Sequence, residues 1–438
     1  MLKILTDILF GIFGLATLLG IAILFSNDKK GINWRLVATG IGLQLSFAIF
    51  VLMTPWGAVV FDSIASFFVT VINFTFDGAK FVFGPVLADQ GVAGKVFGSE
   101  YGFIFAFQVL PTIIFFSSLM SVLYHLGVMQ RIVQGMAWVM AKTMNVSGAE
   151  SLSVAANVFI GQTEAPLVVR PYVEKMTQSE LLTLMVGGMA TIAGGVLAAY
   201  VGILGGNDPA LQAFYAKHLL SASIMAAPAT MVIAKILYPE KEESVTKGDV
   251  KMKIEKTSSN VIDAAASGAA DGLQLALNVA AMLLAFIALI AMFNYILTQL
   301  GGFFGITIHG QPLSMESLLG WLLQPLAFII GVPWGQDAFY VGSLIGKKIV
   351  VNEFVAYLDL GNLENVLSTK ATIISTYALC GFANFSSIAI QLGGIGGIAP
   401  NRRHDLAKFG LKAVLGGSLA TMMTATIAGV LIGIMNGN

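Results

Sequence analysis

The sequence contains few charged residues and a single cysteine. Charged side chains make up 11% of its 438 residues, whereas soluble domains carry about 25%. Lysine plus arginine and aspartate plus glutamate number 24 each, so the net charge is zero and no bulk field attracts nucleic acid. The lone Cys380 excludes an intramolecular disulfide and a cysteine-rich metal site. These shortages argue against a soluble, disulfide-stabilised or nucleic-acid-binding protein.

Motifs for metal or nucleotide chemistry are also missing. The four histidines are scattered without the spacing of metal ligands, and no nucleophile–base pair is evident. The segment 342-GSLIGK-347 lacks the spacing and the serine or threonine of a phosphate-binding loop. We therefore expect no enzyme, no bound cofactor and no transport driven by ATP.

Apolar residues, in contrast, are abundant and lie in long runs. They form 56% of the chain, and a membrane-spanning helix needs about 20 mainly apolar residues. Eight segments qualify: Ile4–Phe25, Leu36–Met53, Phe103–Leu126, Leu181–Leu204, Leu219–Leu237, Leu273–Leu300, Ile373–Ile398 and Phe409–Met435. The first lacks a strongly basic start and a cleavage site, so we expect a retained helix rather than a signal peptide. The sequence thus predicts an all-α, multi-pass integral membrane protein.

Three further apolar segments contain charged residues or proline, which is typical of amphipathic helices at a membrane interface. They are Val59–Leu87, interrupted by Asp62, Asp77, Lys80 and Pro85; Val128–Met144, with Arg131 and Lys142; and Leu318–Gly331, broken by Pro325. We expect each to lie along the membrane surface.

Two more segments carry a polar centre between short apolar arms. In Glu150–Val173 the centre is 161-GQTEAP-166, and in Gln336–Leu360 it is 346-GKKIVVNE-353. Arms of about ten residues are too short to cross a bilayer, so re-entrant helical hairpins are favoured. We expect each tip to open on a glycine, Gly161 or Gly346. Irregular backbone at membrane depth requires protein or a watery cavity around it, so both tips should face a cavity.

An inverted repeat follows from the order of these segments. After each hairpin a span is interrupted, by 187-GGMATIAGG-195 and by 380-CGFANFSSI-388. Lysine and arginine concentrate in the loops that face the cytoplasm if both termini lie outside. The first hairpin would then enter from the cytoplasm and the second from outside. Inverted repeats with discontinuous helices are typical of secondary transporters.

The predicted organisation has five parts. They are three spans in 1–126; a first repeat of interfacial helix, hairpin, broken fourth span and fifth span in 127–238; a solvated cytoplasmic linker in 239–260; the sixth span as a scaffold in 261–316; and a second repeat of interfacial helix, hairpin, broken seventh span and eighth span in 317–438.

Three motifs resemble one family. The segments 161-GQTEAPL-167, 346-GKKIVVNEFVAY-357 and 381-GFANFSS-387 look like those of the concentrative nucleoside transporters in their short bacterial form. The middle motif matches the family pattern Gly-x-Lys-x-x-x-Asn-Glu-Phe-Val-Ala-Tyr at every fixed position. The resemblance covers nearly the whole chain. It implies a homotrimer in the bacterial inner membrane that takes up nucleosides with Na⁺ or, in some members, with H⁺.

The resemblance also implies roles for individual residues. Nucleobase contacts would come from Gln162, Thr163 and Glu164, ribose contacts from Glu353, Asn384 and Ser387, and packing on the base from Val196 and Phe382. The Na⁺ ligands would be the side chains of Asn157 and Thr191 and the carbonyls of Ile160 and Ile192. Some members carry serine at the position of Thr191, which preserves the hydroxyl.

These roles agree with elementary chemistry. A carboxylate accepts hydrogen bonds from ribose hydroxyls, while amides and hydroxyls match the edge of a base. The aromatic ring of Phe382 can cover the face of a base. Na⁺ is a hard cation, so neutral oxygens of an amide, a hydroxyl and freed carbonyls at a helix break suit it. Gly161 and Pro166 would break the helix and deliver the polar groups between them to the cavity.

Structural alternatives exist for several of these residues. Glu164 could pair with Arg170, and Glu353 could neutralise Lys347 or Lys348. Asn384 and Ser387 could only join helices to one another, and Asn157 and Thr191 could cap or cross-link the hairpin. The sequence leaves open whether Gln274 and Asn278 face the site or the trimer axis.

The sequence therefore predicts a secondary active importer that couples inward Na⁺ movement to the uptake of uridine-like nucleosides by alternating access. An H⁺-coupled symporter is the nearest alternative, with a carboxylate as the proton carrier. A passive channel lined by the hairpins is a second one.

Overall fold

The computed structural model describes residues 2–98, 101–247, 258–363 and 365–435, which are almost entirely helical. The helices of the first half are α1 (Leu2–Leu24), α2 (Trp34–Met53), α3 (Pro55–Phe83), α4 (Pro85–Ala88), α5 (Gln90–Phe97), α6 (Phe105–Gln108), α7 (Leu110–His125), α8 (Val128–Met144), α9 (Gly148–Asn157), α10 (Arg170–Val173), α11 (Gln178–Ala190), α12 (Gly194–Gly205) and α13 (Pro209–Leu237). Those of the second half are α14 (Val261–Phe304), α15 (Met315–Ile329), α16 (Gln336–Val350), α17 (Glu353–Asn362), α18 (Thr369–Leu379), α19 (Phe385–Ile398) and α20 (Arg403–Met435). The described residues also form 3₁₀ helices at Ala165–Val169 and Pro400–Arg402, and strands β1 (Thr307–Ile308) and β2 (Gln311–Pro312), which pair antiparallel.

Polar caps mark where many of the helices begin. Helix α9 starts at a capping box of Ser147 with Glu150, and α11 starts at one of Thr177 with Glu180. In each box the hydroxyl accepts from the backbone of the third helical residue, whose carboxylate accepts from the cap in return. Asn384 caps α19 by accepting from the Ser387 N–H. Several helices of both repeats are therefore started by their own local sequence.

Eight segments of the described chain are long and apolar enough to cross a membrane, the number that the sequence predicts. The observed and the predicted sets of eight spans differ in one member. Helix α3 qualifies, although we expected an interfacial helix interrupted by charged residues over Val59–Leu87. Its charges do not break it, because Asp62 lies 2.8 Å from the Lys217 ammonium and Lys80 lies 3.1 Å from Asp89. The predicted span Ile373–Ile398 is divided between α18 and α19.

Two expected breaks are absent. Pro325 lies inside α15 without ending it, and α16 continues through Gly346 to Val350. Helices α15 and α16 pack along each other, and a Cβ added at Gly346 would lie 2.7 Å from the Leu319 Cβ. Gly346 thus permits close helix packing and does not open the tip. The second turn instead lies at Val351 and Asn352, where Asn352 caps α17.

The two interrupted spans break where the sequence predicts. Helices α11 and α12 are separated by Thr191–Ala193, and α18 and α19 by Cys380–Asn384. The breaks touch, since the Phe382 N–H donates to the Thr191 carbonyl at 3.3 Å. A Cβ added at Gly381 would lie 2.8 Å from the Met189 carbonyl oxygen, so glycine allows this close approach. The irregular backbone of both repeats therefore meets at one place.

The repeats run in opposite directions along α20. At the start of α20, the Gln178 amide at the beginning of α11 donates to Asp405 at 3.0 Å. At the other end, Lys370 at the beginning of α18 pairs with Asp7 at 2.8 Å. Asp7 also lies against Gly433 near the end of α20. This arrangement confirms that the repeats are inverted.

Part of the linker packs on the first repeat. The Thr246 carbonyl accepts from the Gly148 N–H at 2.9 Å, and Lys247 forms a β-bridge with Ser147. Residues 248–257 of the predicted linker 239–260 lie outside the described part of the chain. The expectation of a solvated linker is thus wrong for Thr246, which is buried against the start of α9, whereas Lys247 is exposed.

Candidate functional site

The first hairpin turns directly after Asn157. Helix α9 and the 3₁₀ helix Ala165–Val169 form its two arms, and Pro166 lies in the first turn of the second arm. The Gly194 N–H donates to the Phe159 carbonyl at 3.0 Å, so the tip is held by the start of α12. The tip residues are thus placed beside the first broken helix.

Gln162 connects this tip to the second broken helix. Its side chain is 7% exposed, and its Nε2 donates to the Ser387 hydroxyl at 3.0 Å. The Gln391 Nε2 donates to the Gln162 Oε1 at 3.1 Å and to the Met185 carbonyl at 3.0 Å. The predicted Gln162 and Ser387 therefore meet, together with Gln391, which the sequence analysis missed.

Glu353 begins the second arm of the second hairpin and is 3% exposed. Its carboxylate accepts from the Tyr200 hydroxyl at 3.0 Å and from the Asn384 Nδ2 at 2.9 Å. The Asn384 Oδ1 accepts from the Ser387 N–H at 2.9 Å. One buried polar network thus runs from Gln162 through Ser387 and Asn384 to Glu353. A buried network of carboxylate, amides and hydroxyls suits a ligand with several hydroxyl and amide groups.

The other predicted substrate residues are less closely joined. The Thr163 methyl packs on α19, where a Cβ added at Gly394 would lie 3.0 Å from it. Val196 is buried and Phe382 is half-buried next to the break. Glu164 is exposed and forms no ion pair with Arg170 among the described contacts. The structure thus places Glu164 at the tip without bringing it to the network.

Asn157 has an unsatisfied oxygen in the interior. Its side chain is 1% exposed, its Nδ2 donates to the Ser153 carbonyl at 3.1 Å, and its Oδ1 has no hydrogen-bond partner. The buried Thr191 hydroxyl donates to the Gly187 carbonyl at 2.9 Å, which leaves its lone pairs available. A buried acceptor without a partner is costly unless a cation or donor approaches it.

The remaining predicted ion ligands are backbone carbonyls in the same region. Ile160 lies in the hairpin tip and Ile192 lies in the break between α11 and α12. The buried Thr230 Oγ1 and Ser153 Oγ also lack hydrogen-bond partners. A neutral, oxygen-rich environment of this kind fits a hard monovalent cation.

The two lysines of the second hairpin do not pair with Glu353. Lys347 forms ion pairs with Glu316, at 2.9 Å, and with Asp359. Lys348 donates to the Ala378 carbonyl at 2.8 Å and to the Thr421 hydroxyl at 3.0 Å. The buried carboxylate of Glu353 is therefore satisfied by neutral donors.

Gln274 and Asn278 lie away from this network. They are hydrogen-bonded to each other at 3.1 Å on the exposed side of α14. Tyr200 and Gln391, in contrast, belong to it. Both are single polar groups within apolar segments, and no motif in the sequence marks them as site residues.

Comparison with known proteins identifies the family. The profile described as the Na⁺ dependent nucleoside transporter C-terminus matches residues 218–429, that of its N-terminus matches 13–86, and a nucleoside recognition (gate) profile matches 106–207. An uncharacterized transporter of Haemophilus influenzae is 47% identical over 98% of this chain and 99% of that relative. The nucleoside permease NupC of Helicobacter pylori is 41% identical over 97% of this chain and 98% of its own length.

The chain belongs to the Na⁺-dependent nucleoside transporter family. Sodium/nucleoside cotransporter 1 of the mouse is another relative, 40% identical over 94% of this chain and 62% of that protein. CNTnw in an inward-facing substrate-bound state superposes with a TM-score of 0.88, at 45% identity and 98% coverage of both chains. A CNTnw double variant in an outward-facing state gives a TM-score of 0.90 at 44% identity, covering 98% of this chain and 100% of that one. This nucleoside transporter thus shares its fold with structures in both inward- and outward-facing states.

Proposed function

We propose that this transporter couples inward Na⁺ movement to nucleoside uptake by alternating access. The observation that carries the proposal is the buried network from Gln162 to Glu353, which lies where both breaks and both hairpins meet. Beside it, Asn157 holds an unsatisfied buried oxygen. Both observations support a polar site for the nucleoside with a neutral oxygen site for the ion next to it.

In this proposal the second hairpin recognises the ribose. Glu353 would accept from the ribose hydroxyls, while Asn384 and Ser387 would hold them through an amide and a hydroxyl. These three residues are already connected by hydrogen bonds, so hydrogen bonds to a bound ribose would replace some of those between the side chains. Tyr200 would keep the Glu353 carboxylate in position.

The first hairpin would recognise the base. Gln162 offers both a donor and an acceptor, and its present partners Ser387 and Gln391 can keep its amide oriented. Thr163 lies next to it, and Glu164 would contact the base directly or through water. Val196 and Phe382 would pack on the face of the base.

The ion would bind beneath the first tip. Its ligands would be the side chains of Asn157 and Thr191 and the carbonyls of Ile160 and Ile192. Because Asn157 ends the arm that carries Gln162, Thr163 and Glu164, a bound cation would order the tip. Na⁺ would then raise nucleoside affinity, and the nucleoside would raise Na⁺ affinity by the same factor.

We further infer that both hairpins are re-entrant and that the protein is a homotrimer in the bacterial inner membrane. Gln162 and Lys348 lie near the tips of the first and second hairpins. The helices that follow the hairpins, α11 and α18, start at opposite ends of α20, and Lys348 contacts Thr421 midway along α20. The 44-residue α14 is largely exposed and apolar, which suits contact with lipid or with other subunits.

Uptake of radiolabelled uridine into proteoliposomes tests the coupling. An inward Na⁺ gradient should concentrate uridine above equilibrium at constant pH, whereas an inward proton gradient in Na⁺-free medium should not. Accumulation of uridine above equilibrium under the proton gradient alone would establish H⁺ coupling instead. Equilibration without accumulation under either gradient would indicate a passive channel.

A further inference from the structure

Gln391 of α19 is a buried side chain that joins the first hairpin to α11. It is 0% exposed, and its Nε2 lies 3.1 Å from the Gln162 Oε1 and 3.0 Å from the Met185 carbonyl oxygen. An amide nitrogen has two hydrogens, so it can donate to both oxygens at once. Gln391 therefore connects the backbone of the first broken helix to the side chain that is proposed to face the nucleobase.

Gly188 permits this arrangement. It lies in the last turn of α11, where an added Cβ would be 2.7 Å from the Gln391 Nε2 and 2.9 Å from the Gln162 Cβ. A larger residue at this position would push the two glutamines apart. The contact between them is thus part of the packing at the first break.

The Met185 carbonyl determines which way both amides point. The carbonyl can only accept, so the Gln391 atom that faces it is the nitrogen and not the oxygen. That nitrogen can only donate, so the Gln162 atom that faces it is in turn the oxygen. Reversal of Gln391 would oppose two acceptors, and reversal of Gln162 would oppose two donors. One backbone carbonyl thus orients two side-chain amides in series.

With its oxygen held by Gln391, Gln162 turns its nitrogen toward Ser387. The Nε2 donates one hydrogen to the Ser387 hydroxyl at 3.0 Å, and its second hydrogen has no partner among the described residues. The Ser387 hydroxyl can donate as well as accept, so it does not itself determine the orientation. Gln162 therefore presents a donor to a ligand because Gln391 occupies its acceptor.

We propose that Gln391 is a positioning residue that determines base selectivity by holding the Gln162 amide with its N–H toward the nucleobase. The site then favours a base with a carbonyl at that edge over one with an amino group, which would oppose a second donor to the Gln162 N–H. Uracil carries a carbonyl at carbon 4, where cytosine carries an amino group. The inference rests on the proposed nucleoside site and adds a residue outside its three sequence motifs.

The unaltered protein provides the first test. Isothermal titration of the purified transporter in Na⁺ should show uridine binding about tenfold more tightly than cytidine, as expected for one mismatched buried hydrogen bond. Equal affinities, or tighter binding of cytidine, would overturn the inference while preserving the proposed site. Failure to bind either nucleoside would overturn the proposed function itself.

Two substitutions of similar volume test the role of Gln391. In the protonated side chain of Gln391→Glu, the oxygen that replaces Nε2 has one hydrogen for the Met185 carbonyl and only lone pairs for Gln162. The Gln162 amide should then reverse and present its oxygen, so cytidine should bind more tightly than uridine. Gln391→Met leaves Gln162 without a fixed partner, and the ratio of the two affinities should fall close to one.

Gln44→Met is the matched control. Gln44 of α2 is also 0% exposed, and it donates to the Met225 carbonyl and to the Thr424 hydroxyl, each at 3.1 Å. Like Gln391, it has a buried Oε1 without a partner among the described residues. Because its described hydrogen bonds do not involve Gln162, Gln44→Met should keep the parent ratio of uridine to cytidine affinity.

The ratio of affinities separates selectivity from stability, since a general loosening of the fold weakens both nucleosides alike. If Gln391→Glu and Gln391→Met keep the parent ratio, Gln391 is only a structural link between α19 and α11, and the inference is wrong. Size-exclusion chromatography shows whether each variant is folded. If neither variant folds, the comparison of uridine with cytidine in the unaltered protein decides alone.

Discussion

The two repeats share one architecture but differ in chemistry. Each has a hairpin, a broken helix and a long final helix, and the two sets meet at their breaks. The first tip contains Gln162, Thr163 and an exposed carboxylate, Glu164, and the Asn157 oxygen near it is buried without a partner. The second contains Glu353 and Lys348, both buried and both hydrogen-bonded. The buried Asn157 oxygen of the first hairpin is therefore unsatisfied, whereas the two buried charged groups of the second hairpin have hydrogen-bond partners.

This difference suggests that the two hairpins have different roles in binding. Charges buried with their partners are expensive to expose, so the second hairpin would provide a fixed surface for the proposed ribose contacts. The first hairpin, with its unsatisfied acceptors, depends on an added ion to complete its interactions. Coupling between ion and nucleoside would then originate in the first hairpin.

The largest effect is expected from Glu353→Gln, which removes the buried carboxylate. Uridine affinity should fall roughly 10- to 100-fold, because hydrogen bonds to a charged group contribute about 1.5–3 kcal/mol. Isothermal titration with uridine and with its deoxyribose analogues measures this loss. Equal binding of all these ligands by the variant and the parent would exclude the second tip from ribose recognition. Asp359→Asn, on the same helix but paired with Lys347, is the matched control.

Asn157→Ala should change how nucleoside binding depends on the Na⁺ concentration. The variant lacks the unsatisfied Oδ1, so the Na⁺ concentration that gives half-maximal uridine binding should rise about tenfold. Asn157→Asp keeps an oxygen at this position and should retain Na⁺ dependence. An unchanged Na⁺ titration of Asn157→Ala would place the ion elsewhere.

Asn384→Ala and Ser387→Ala should each weaken uridine binding by about 1–3 kcal/mol, the cost of leaving a buried polar partner unmatched. Competition binding with labelled uridine gives these differences. Ser375→Ala is a suitable control, since its buried hydroxyl has no hydrogen-bond partner. Losses in the control as large as those in the two variants would show a general packing effect.

Tyr200→Phe deletes one of the two described side-chain donors to Glu353. We expect uridine binding to weaken by about 1 kcal/mol, the net contribution of a typical hydrogen bond. Tyr357→Phe removes a buried hydroxyl that donates to the Thr376 carbonyl and not to Glu353, and it should have less effect on binding. The opposite ranking in parallel titrations would remove Tyr200 from the ribose site.

The smallest effect is expected from Glu164→Gln. The carboxylate is exposed, so a contact through water would contribute only a few-fold to uridine uptake. Initial rates of Na⁺-driven uptake into proteoliposomes measure it. A variant that concentrates uridine as well as the parent does would remove Glu164 from the site.

Much of this site could be predicted from local sequence. Gly-rich interruptions at 187–195 and 380–388 and the polar segment at 161–166 mark breaks, and the structure has breaks there. The sequence could not show that Gly346 serves helix packing, because its neighbour Leu319 comes from another helix. Nor could it reveal Gln391, whose partner Gln162 is 229 residues away. Pairings across the inverted repeats depend on the fold as a whole.

The most direct test of the account compares uridine affinity in Na⁺ and in choline at equal ionic strength, with purified protein. Ordering of the first tip by a cation at Asn157 predicts tighter binding in Na⁺ for the parent and a much smaller difference for Asn157→Ala. Equal uridine affinity of the parent in the two salts would contradict it.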